Sequence, residues 1–407
     1  MEVVYRCCCG VDVHKKKTVA CLYTGKSHEV REFGTTTGEI RGMANWLTEA
    51  GCEIVAMEST GAYWKPLYNL FEISGLETMV VNAAHMKALP GRKTDIKDAE
   101  WIGDLLRHGL LRASFIPDRT QRELREIARY RKSLTEERSR EWNRLQKILE
   151  GANIKISSVI DINTASARNL MKVIIADKAI DRDELEDLVY GKVRSKVEAL
   201  LPAIDGFTTP LQRRLLGCII DHIDDMTRRI TDLDVVINDY MAEYESAIDR
   251  ISQLPGIARH SAEVVIAEIG KDMNRFPTAA HLASWAGVCP GNNQSGGKRL
   301  NGKSNKGNKT LKSTLIRSAH SAVKVKNSFF SAQFQRISVR RGKRRAILAV
   351  AHSMLIAIYH VLKHDVDFRD LGSDYYDTYN RERKIKGHLK RLEALGWSPE
   401  GSATVPA

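Results

Sequence analysis

Short apolar runs occupy the first eighty residues, and longer stretches with helical spacing follow. Residues 1–13, rich in Val, Tyr and Cys, read as a strand ending in Gly10-Val11-Asp12-Val13, with 17–23 as its hairpin partner. Residues 53–57 form a second apolar run that stops at Glu58. Beyond it, Trp64, Leu67, Leu70 and Phe71 mark a helix. A further helix begins near Asp95, with Ala99, Ile102, Leu105 and Leu106 on its inner side.

From residue 119 the pattern is helical almost throughout. Residues 119–150 predict a long basic helix with Leu124, Ile127, Leu134, Trp142, Leu145, Ile148 and Leu149 as its packed side. Residues 216–251 carry apolar side chains three and four apart over about five heptads, a coiled-coil pattern that predicts a stalk pairing helices within or between subunits. Leu254-Pro255-Gly256-Ile257 then joins two helical runs in the manner of a helix-hairpin-helix element, whose turn amides would contact phosphate. These patterns predict an α/β amino-terminal domain over 1–150 and a helical connector with coiled coil over 151–250. A mostly α domain follows over 251–365, and a tail over 366–407 holds Tyr375, Tyr376, Tyr379 and an amphipathic helix.

Charge separates these regions. The 407-residue chain carries a formal net charge of +13. Residues 273–364 hold seventeen Lys or Arg and no Asp or Glu, so the whole excess belongs to the carboxy-terminal domain. Such a field selects an anionic partner, nucleic acid above all. Seven Cys without a Cys-x-x-Cys pair read as reduced core thiols. The sequence offers no signal peptide and no long uninterrupted apolar run, so the expectation is a cytoplasmic, nucleoid-associated protein without membrane contact.

The chemistry falls on two sets of residues. Asp12 and Glu58 end strands, where α/β sheets place ligands, and Asp95 and Asp98 stand three apart on one face of a helix start. Four converging carboxylates suit hard divalent cations such as Mg²⁺, with Mn²⁺ as a substitute, and two such ions serve phosphodiester chemistry. Ser295 lies in the Gly- and Asn-rich stretch after Trp285, which predicts a loop or short hairpin and puts Lys298, Arg299, Lys303, Lys306 and Lys309 around it. By residue type alone Ser295 is one loop serine among several, beside Ser304 and Ser313. Arg340, Arg341, Lys343, Arg344 and Arg345 form a second basic block, either a phosphate grip or a basic helix start.

In this order, Gly10-Val11-Asp12-Val13-His14-Lys15, Glu58-Ser59-Thr60-Gly61, Lys93-Thr94-Asp95-Ile96-Lys97-Asp98-Ala99, Leu254-Pro255-Gly256-Ile257, Leu282-Ala283-Ser284-Trp285-Ala286-Gly287 and Gln294-Ser295-Gly296-Gly297 resemble the DEDD transposases of bacterial insertion sequences. That group includes the Piv-type DNA invertases and the bridge-RNA-guided recombinases. The resemblance implies a RuvC-like, ribonuclease-H-type first domain in which Asp12, Glu58, Asp95 and Asp98 bind metal. It implies that Ser295 of a carboxy-terminal transposase domain attacks DNA and is transiently joined to its phosphate. It further implies donor and target DNA as substrates, a bridge RNA as guide and a homo-oligomer, taken as a tetramer; the basic helix 119–150, with Tyr130 and Trp142, is a candidate RNA surface. A RuvC-like nuclease that hydrolyses junctions would need the acids without the serine. An actin-like sugar kinase would need Gly-rich phosphate loops, and a non-catalytic scaffold would be indifferent to Asp95→Asn.

Overall fold

In the computed structural model, residues 2–25, 27–59, 61–82, 95–290, 293–295, 298–301, 304, 306–379 and 381–397 are described, and the chain divides into units Met1–Pro117 and Asp118–Ala407. The alternating segments of the first unit build a five-stranded sheet. Strands β1 (Cys7–Val13), β2 (Lys17–Thr24), β3 (Ser27–Gly34), β4 (Ile54–Glu58) and β5 (Thr78–Val81) lie in the order β3-β2-β1-β4-β5. The first three form an antiparallel meander, and β4 and β5 run parallel to β1.

Each strand presents two faces with a period of two. Cys9, Val11, Val55 and Met57 pack on helices α1 (Thr37–Glu49) and α2 (Trp64–Ile73). Cys8, Ile54 and Ala56 pack on the opposite side with Ala99, Ile102 and Leu106 of α3 (Asp95–Arg107). The fit of α3 on β1 depends on two glycines. A Cβ on Gly10 would lie 2.2 Å from the Gly103 nitrogen and 2.3 Å from the Ala99 carbonyl oxygen, so only bare backbone fits there.

Among its described residues the second unit is helical apart from one hairpin. Helix α4 (Arg119–Gly151) starts at Asp118, whose side chain accepts from the Gln121 amide at 2.9 Å. Short helices α5 (Ile156–Val159), α6 (Ala165–Ile175), α7 (Arg182–Leu188) and α8 (Val197–Ile204) share one core with Leu145 and Leu149 of α4. Helix α9 (Pro210–Met241) begins with a capping box between Thr209 and Gln212 and with proline in its first turn. Arg138 donates to Thr227 at 3.1 Å, Arg131 pairs with Asp234, and the Tyr240 hydroxyl bonds Glu123 at 3.4 Å. As residue numbers rise on α4 they fall on α9, so the two helices pack antiparallel within the chain.

The heptad pattern of 216–251 is not one helix, because a 3-10 turn at Ala242–Tyr244 ends α9 before α10 (Glu245–Ser252). Its buried positions Leu216, Ile223, Met226, Ile230 and Ile237 belong to a helix whose described partner is α4 of the same chain. Helix α4, assigned above to the first domain, packs in the second unit because its inner side meets α9 and α11 (Arg259–Ile269). The Leu254-Pro255-Gly256-Ile257 turn does connect two helices, but it is committed to packing. The Ile257 amide donates to the Leu254 carbonyl at 3.1 Å, and a Cβ on Gly256 would lie 2.4 Å from the Ser318 carbonyl oxygen.

The remaining elements are α12 (Ala279–Ala286), β6 (Asn293–Ser295), β7 (Lys298–Asn301), α13 (Lys309–Ala322), α14 (Phe329–Arg341), α15 (Lys343–His364), α16 (Tyr375–Thr378) and α17 (Arg381–Ala394). Helix α15 is long and apolar enough to cross a membrane by length and composition. The basic helix start at Lys343 thus precedes a longer apolar stretch than the sequence pattern predicts. Its Val350, Met354, Leu355 and Ile358 are buried against α12, α13 and α14, which makes it a core helix. All seven Cys are free thiols; Cys8, Cys9 and Cys21 are buried as expected, whereas Cys218 is exposed.

Candidate active site

The sheet's alternation decides where the acids point. Gly10 faces α3, so Asp12, two residues on, lies on that same face; Ile54, Ala56 and Glu58 repeat the relation on β4. The parallel register pairs Val11 with Met57, which makes Asp12 and Glu58 neighbours at the carboxyl ends of adjacent strands. Helix α3 runs against β1. Its last residue, Arg107, accepts bonds from the Val4 and Tyr5 amides at 2.9 and 3.3 Å, and Ala99 meets Gly10. Its first turn, carrying Asp95 and Asp98, therefore lies toward the end of the sheet where Asp12 and Glu58 stand.

Asp12 is only 7% exposed, and its Oδ2 is 2.9 Å from His14 Nε2. Glu58 and Asp98 are half-buried. The side chain of Asp95 lies outside the described residues, and among those described no three His, Cys, Asp or Glu groups close into a metal cluster. Asp12 and Glu58 nonetheless offer carboxylate oxygens from two adjacent strands on the face that α3, with Asp98, covers, and such oxygens are the donors a hard cation takes.

Ser295 belongs to the second unit, as the last residue of β6, where it pairs with Lys298 of antiparallel β7. Its side chain, like those of Lys298 and Arg299, is outside the description, and Lys303 lies outside the described residues altogether. The base of this hairpin is firmly built. Pro290 and Ser304 form an antiparallel bridge, and Lys312 Nζ donates to Ser304 Oγ at 2.7 Å. A Cβ on Gly307 would lie 2.4 Å from the Gly287 nitrogen, so the segment leading into α13 is pressed against the end of α12. Asn308 then donates its amide to the Trp285 carbonyl at 3.2 Å and caps α13 through the Leu311 amide at 3.0 Å. Cys289 Sγ lies 3.7 Å from Nδ1 of the half-buried His352; burial raises the thiol pKa and lowers that of the imidazole.

Beneath the base sits a charge cluster that sequence reasoning missed. Glu268 of α11 is 1% exposed. Arg129 holds both its carboxylate oxygens, at 2.7 and 2.8 Å, and Arg125 Nε lies 3.3 Å from Oε2. The Asn308 side-chain amide donates to Oε2 at 2.6 Å. Burial lowers the Arg125 pKa to about 10, while Glu268 acts to raise it. A buried carboxylate persists only when paired, so an acid inside the apolar run of α11 was the available signal, without naming its partners.

The same pairs revise the reading of α4 as an RNA surface. Arg125, Arg129 and Arg131 bind acids of the chain's own helices, and Lys132 donates to the Thr310 carbonyl at 3.3 Å. Tyr130 is exposed, but Trp142 packs on a core with Arg168 at 5.4 Å over its ring. The other predicted cations are exposed. Lys306 and Lys309 flank Asn308, Arg340 and Arg341 occupy the last turn of α14, and Lys343, Arg344 and Arg345 open α15. Cations in a helix's first turn oppose its dipole, at about 0.3–1 kcal/mol each. A phosphate at that turn would reverse the sign.

Residues 9–154 match a DEDD-type family of IS110 transposases, and residues 248–335 match a family described as "Transposase IS116/IS110/IS902 family". An "Insertion element IS110 uncharacterized 43.6 kDa protein" of Streptomyces coelicolor is 25% identical over 306 residues, covering 67% of this chain and 72% of its own. A "Putative transposase y4qE" of Sinorhizobium fredii is 31% identical over 133 residues, covering 31% of this chain and 34% of its own.

Proposed function

Since this chain belongs to the IS110 family of transposases, enzymes that cut and rejoin DNA, we propose that Ser295 is its nucleophile and that Asp12, Glu58, Asp95 and Asp98 hold its divalent metal, with Mg²⁺ as the natural ion and Mn²⁺ as a substitute. The observation that carries this reading is the shared face and shared end of Asp12, Glu58 and the α3 start. The sheet order supports a RuvC-like, ribonuclease-H-type domain. A divalent cation held there would stabilise negative charge on phosphate oxygens and favour loss of a proton from an attacking hydroxyl.

The protein's own part is to place and exchange groups. Ser295 Oγ forms a bond to phosphorus as the bond from phosphorus to a deoxyribose oxygen breaks; the serine proton is lost and the leaving oxygen takes one up. Rejoining runs the same exchange in reverse with a different deoxyribose hydroxyl. Lys298, Arg299, Lys303, Lys306 and Lys309 would hold the phosphates beside the hairpin, and Arg340, Arg341, Lys343, Arg344 and Arg345 a second stretch of backbone. We take donor and target DNA to be selected by an element-encoded bridge RNA, in the bacterial nucleoid. Ser295 of one subunit would serve the acids of another within a tetramer.

Mixing tests that arrangement. Ser295→Ala and Asp12→Ala proteins, each inactive, should recover strand exchange as hetero-oligomers; no recovery would sink the shared-site reading. The rival, a junction nuclease using water, predicts that Ser295→Ala still cleaves.

A further inference from the structure

Beyond residue 335, where the second family match ends, lies a further groove. It is a cavity of about 400 Å³ lined by Arg336, Ile337, Arg340 and Arg341 of α14 and by Tyr376 of α16. The three guanidinium groups are exposed and make no ion pair among the described residues. The Arg336 guanidinium lies over the Tyr376 ring at 5.3 Å, and Tyr376 stacks on Phe329 with centroids 5.4 Å apart and planes tilted by 19°. The tail is strapped to α14 by further ring contacts, Phe329 with Tyr375 and Phe330 with Phe368. The aromatic wall is thus held in place beside the arginines.

We propose that this groove binds one unpaired nucleotide of a single-stranded segment, its base against the Tyr376 and Arg336 wall and its phosphate on Arg340 and Arg341. The surface offered to the base is the Arg336 guanidinium held over the Tyr376 ring, and such a plane accepts any base, because every base has a π-face. Ile337 supplies an apolar floor. The volume is at the lower end of small-ligand pockets, room for a single nucleotide. A duplex keeps its base faces stacked inside and would reach only the arginines. This excess of positive charge on a concave aromatic surface is what single strands select, whether the sugar is ribose or deoxyribose.

The inference rests on the nucleic-acid reading of the arginine block but not on Ser295 or the acids. Its test is therefore run in EDTA on the full chain, where no catalysis is needed. Labelled single-stranded RNA, single-stranded DNA and duplex DNA of equal length are titrated by fluorescence anisotropy. Arg340→Gln with Arg341→Gln should weaken at least one single strand on the order of tenfold and flatten its salt dependence. Tyr376→Leu should do so on the order of tenfold as well, with Tyr376→Phe restoring binding. Duplex affinity should fall severalfold less than that of the single strand with the arginine pair, and change less than about twofold with Tyr376→Leu. Which strand loses affinity identifies the sugar. Undiminished binding of both single strands, or an equal loss for duplex, overturns the proposal. Should Tyr376→Leu loosen the tail, the arginine pair decides, because those side chains are exposed. The Ser295→Ala protein should bind like the parent, so failure here and failure of the catalytic reading remain distinct.

Discussion

Asp12 and Ser295 both sit on β-strands, yet the two strands are held in different ways. Asp12 lies on the central strand of a five-stranded sheet, paired on both sides, where a shift by one residue would turn Asp12 and the whole buried set of β1 to the other face. Ser295 lies on a two-stranded hairpin, which is marginal alone and depends on its base. That base is fixed by a few side-chain and close-backbone contacts, among them Asn308, Glu268, Gly307 and the Cys289–His352 pair. Register secures the strand carboxylates, whereas a buried charge network secures the hairpin.

The largest predicted effect breaks the second arrangement. Glu268→Ala strands the buried Arg125 below the hairpin and releases the half-exposed Arg129, and leaving a buried charge unpaired costs about 3–5 kcal/mol. The second unit should lose that stability in denaturant titration while the sheet's circular dichroism stays unchanged. An effect below about 1 kcal/mol would mean that the network does not hold the base.

Gly10→Ala breaks the first. The added methyl meets backbone of α3 from two directions, and overpacking of this kind costs about 1–3 kcal/mol. Because the helix that must move carries Asp95 and Asp98, metal affinity should fall with stability, as read by calorimetric Mn²⁺ titration. Normal affinity in the destabilised protein would detach the α3 start from the site.

The smallest effect sharpens the contrast through pH. Burial holds His352 below the ordinary imidazole range. Between the ordinary value and the lowered folded one, the unfolded chain binds the extra proton, so stability is intact above that window and lost as pH falls through it. From about pH 7.5 to about pH 5.5, the Tm of the second unit should fall more in the parent than in His352→Gln. Equal falls would remove His352 from the hairpin's stability.

The strand acids were legible because their contexts are local. Short apolar runs end at Asp12 and Glu58, and period two fixes the face each takes. The hairpin was legible as a loop or hairpin because its Gly- and Asn-rich sequence cannot build a core. The Glu268 network was not, since Arg125 and Arg129 meet it from across the fold and nothing in their spacing separates a paired arginine from a solvated one. For the same reason α4 read as an RNA surface, although several of its cations point inward. Likewise the closeness of Gly10 and Gly103 depends on a helix crossing a strand, which no local pattern encodes.

That Ser295 attacks DNA with help from the carboxylates of the first unit is the proposal on which the mechanism turns. It is tested most directly by trapping the protein on a substrate with a nicked target and analysing the peptide that contains Ser295 by mass spectrometry. A DNA phosphate ester on Ser295 should appear with divalent metal and be absent from the Asp12→Asn protein. Cleavage with an unmodified Ser295, or an ester formed equally well by Asp12→Asn, would contradict it.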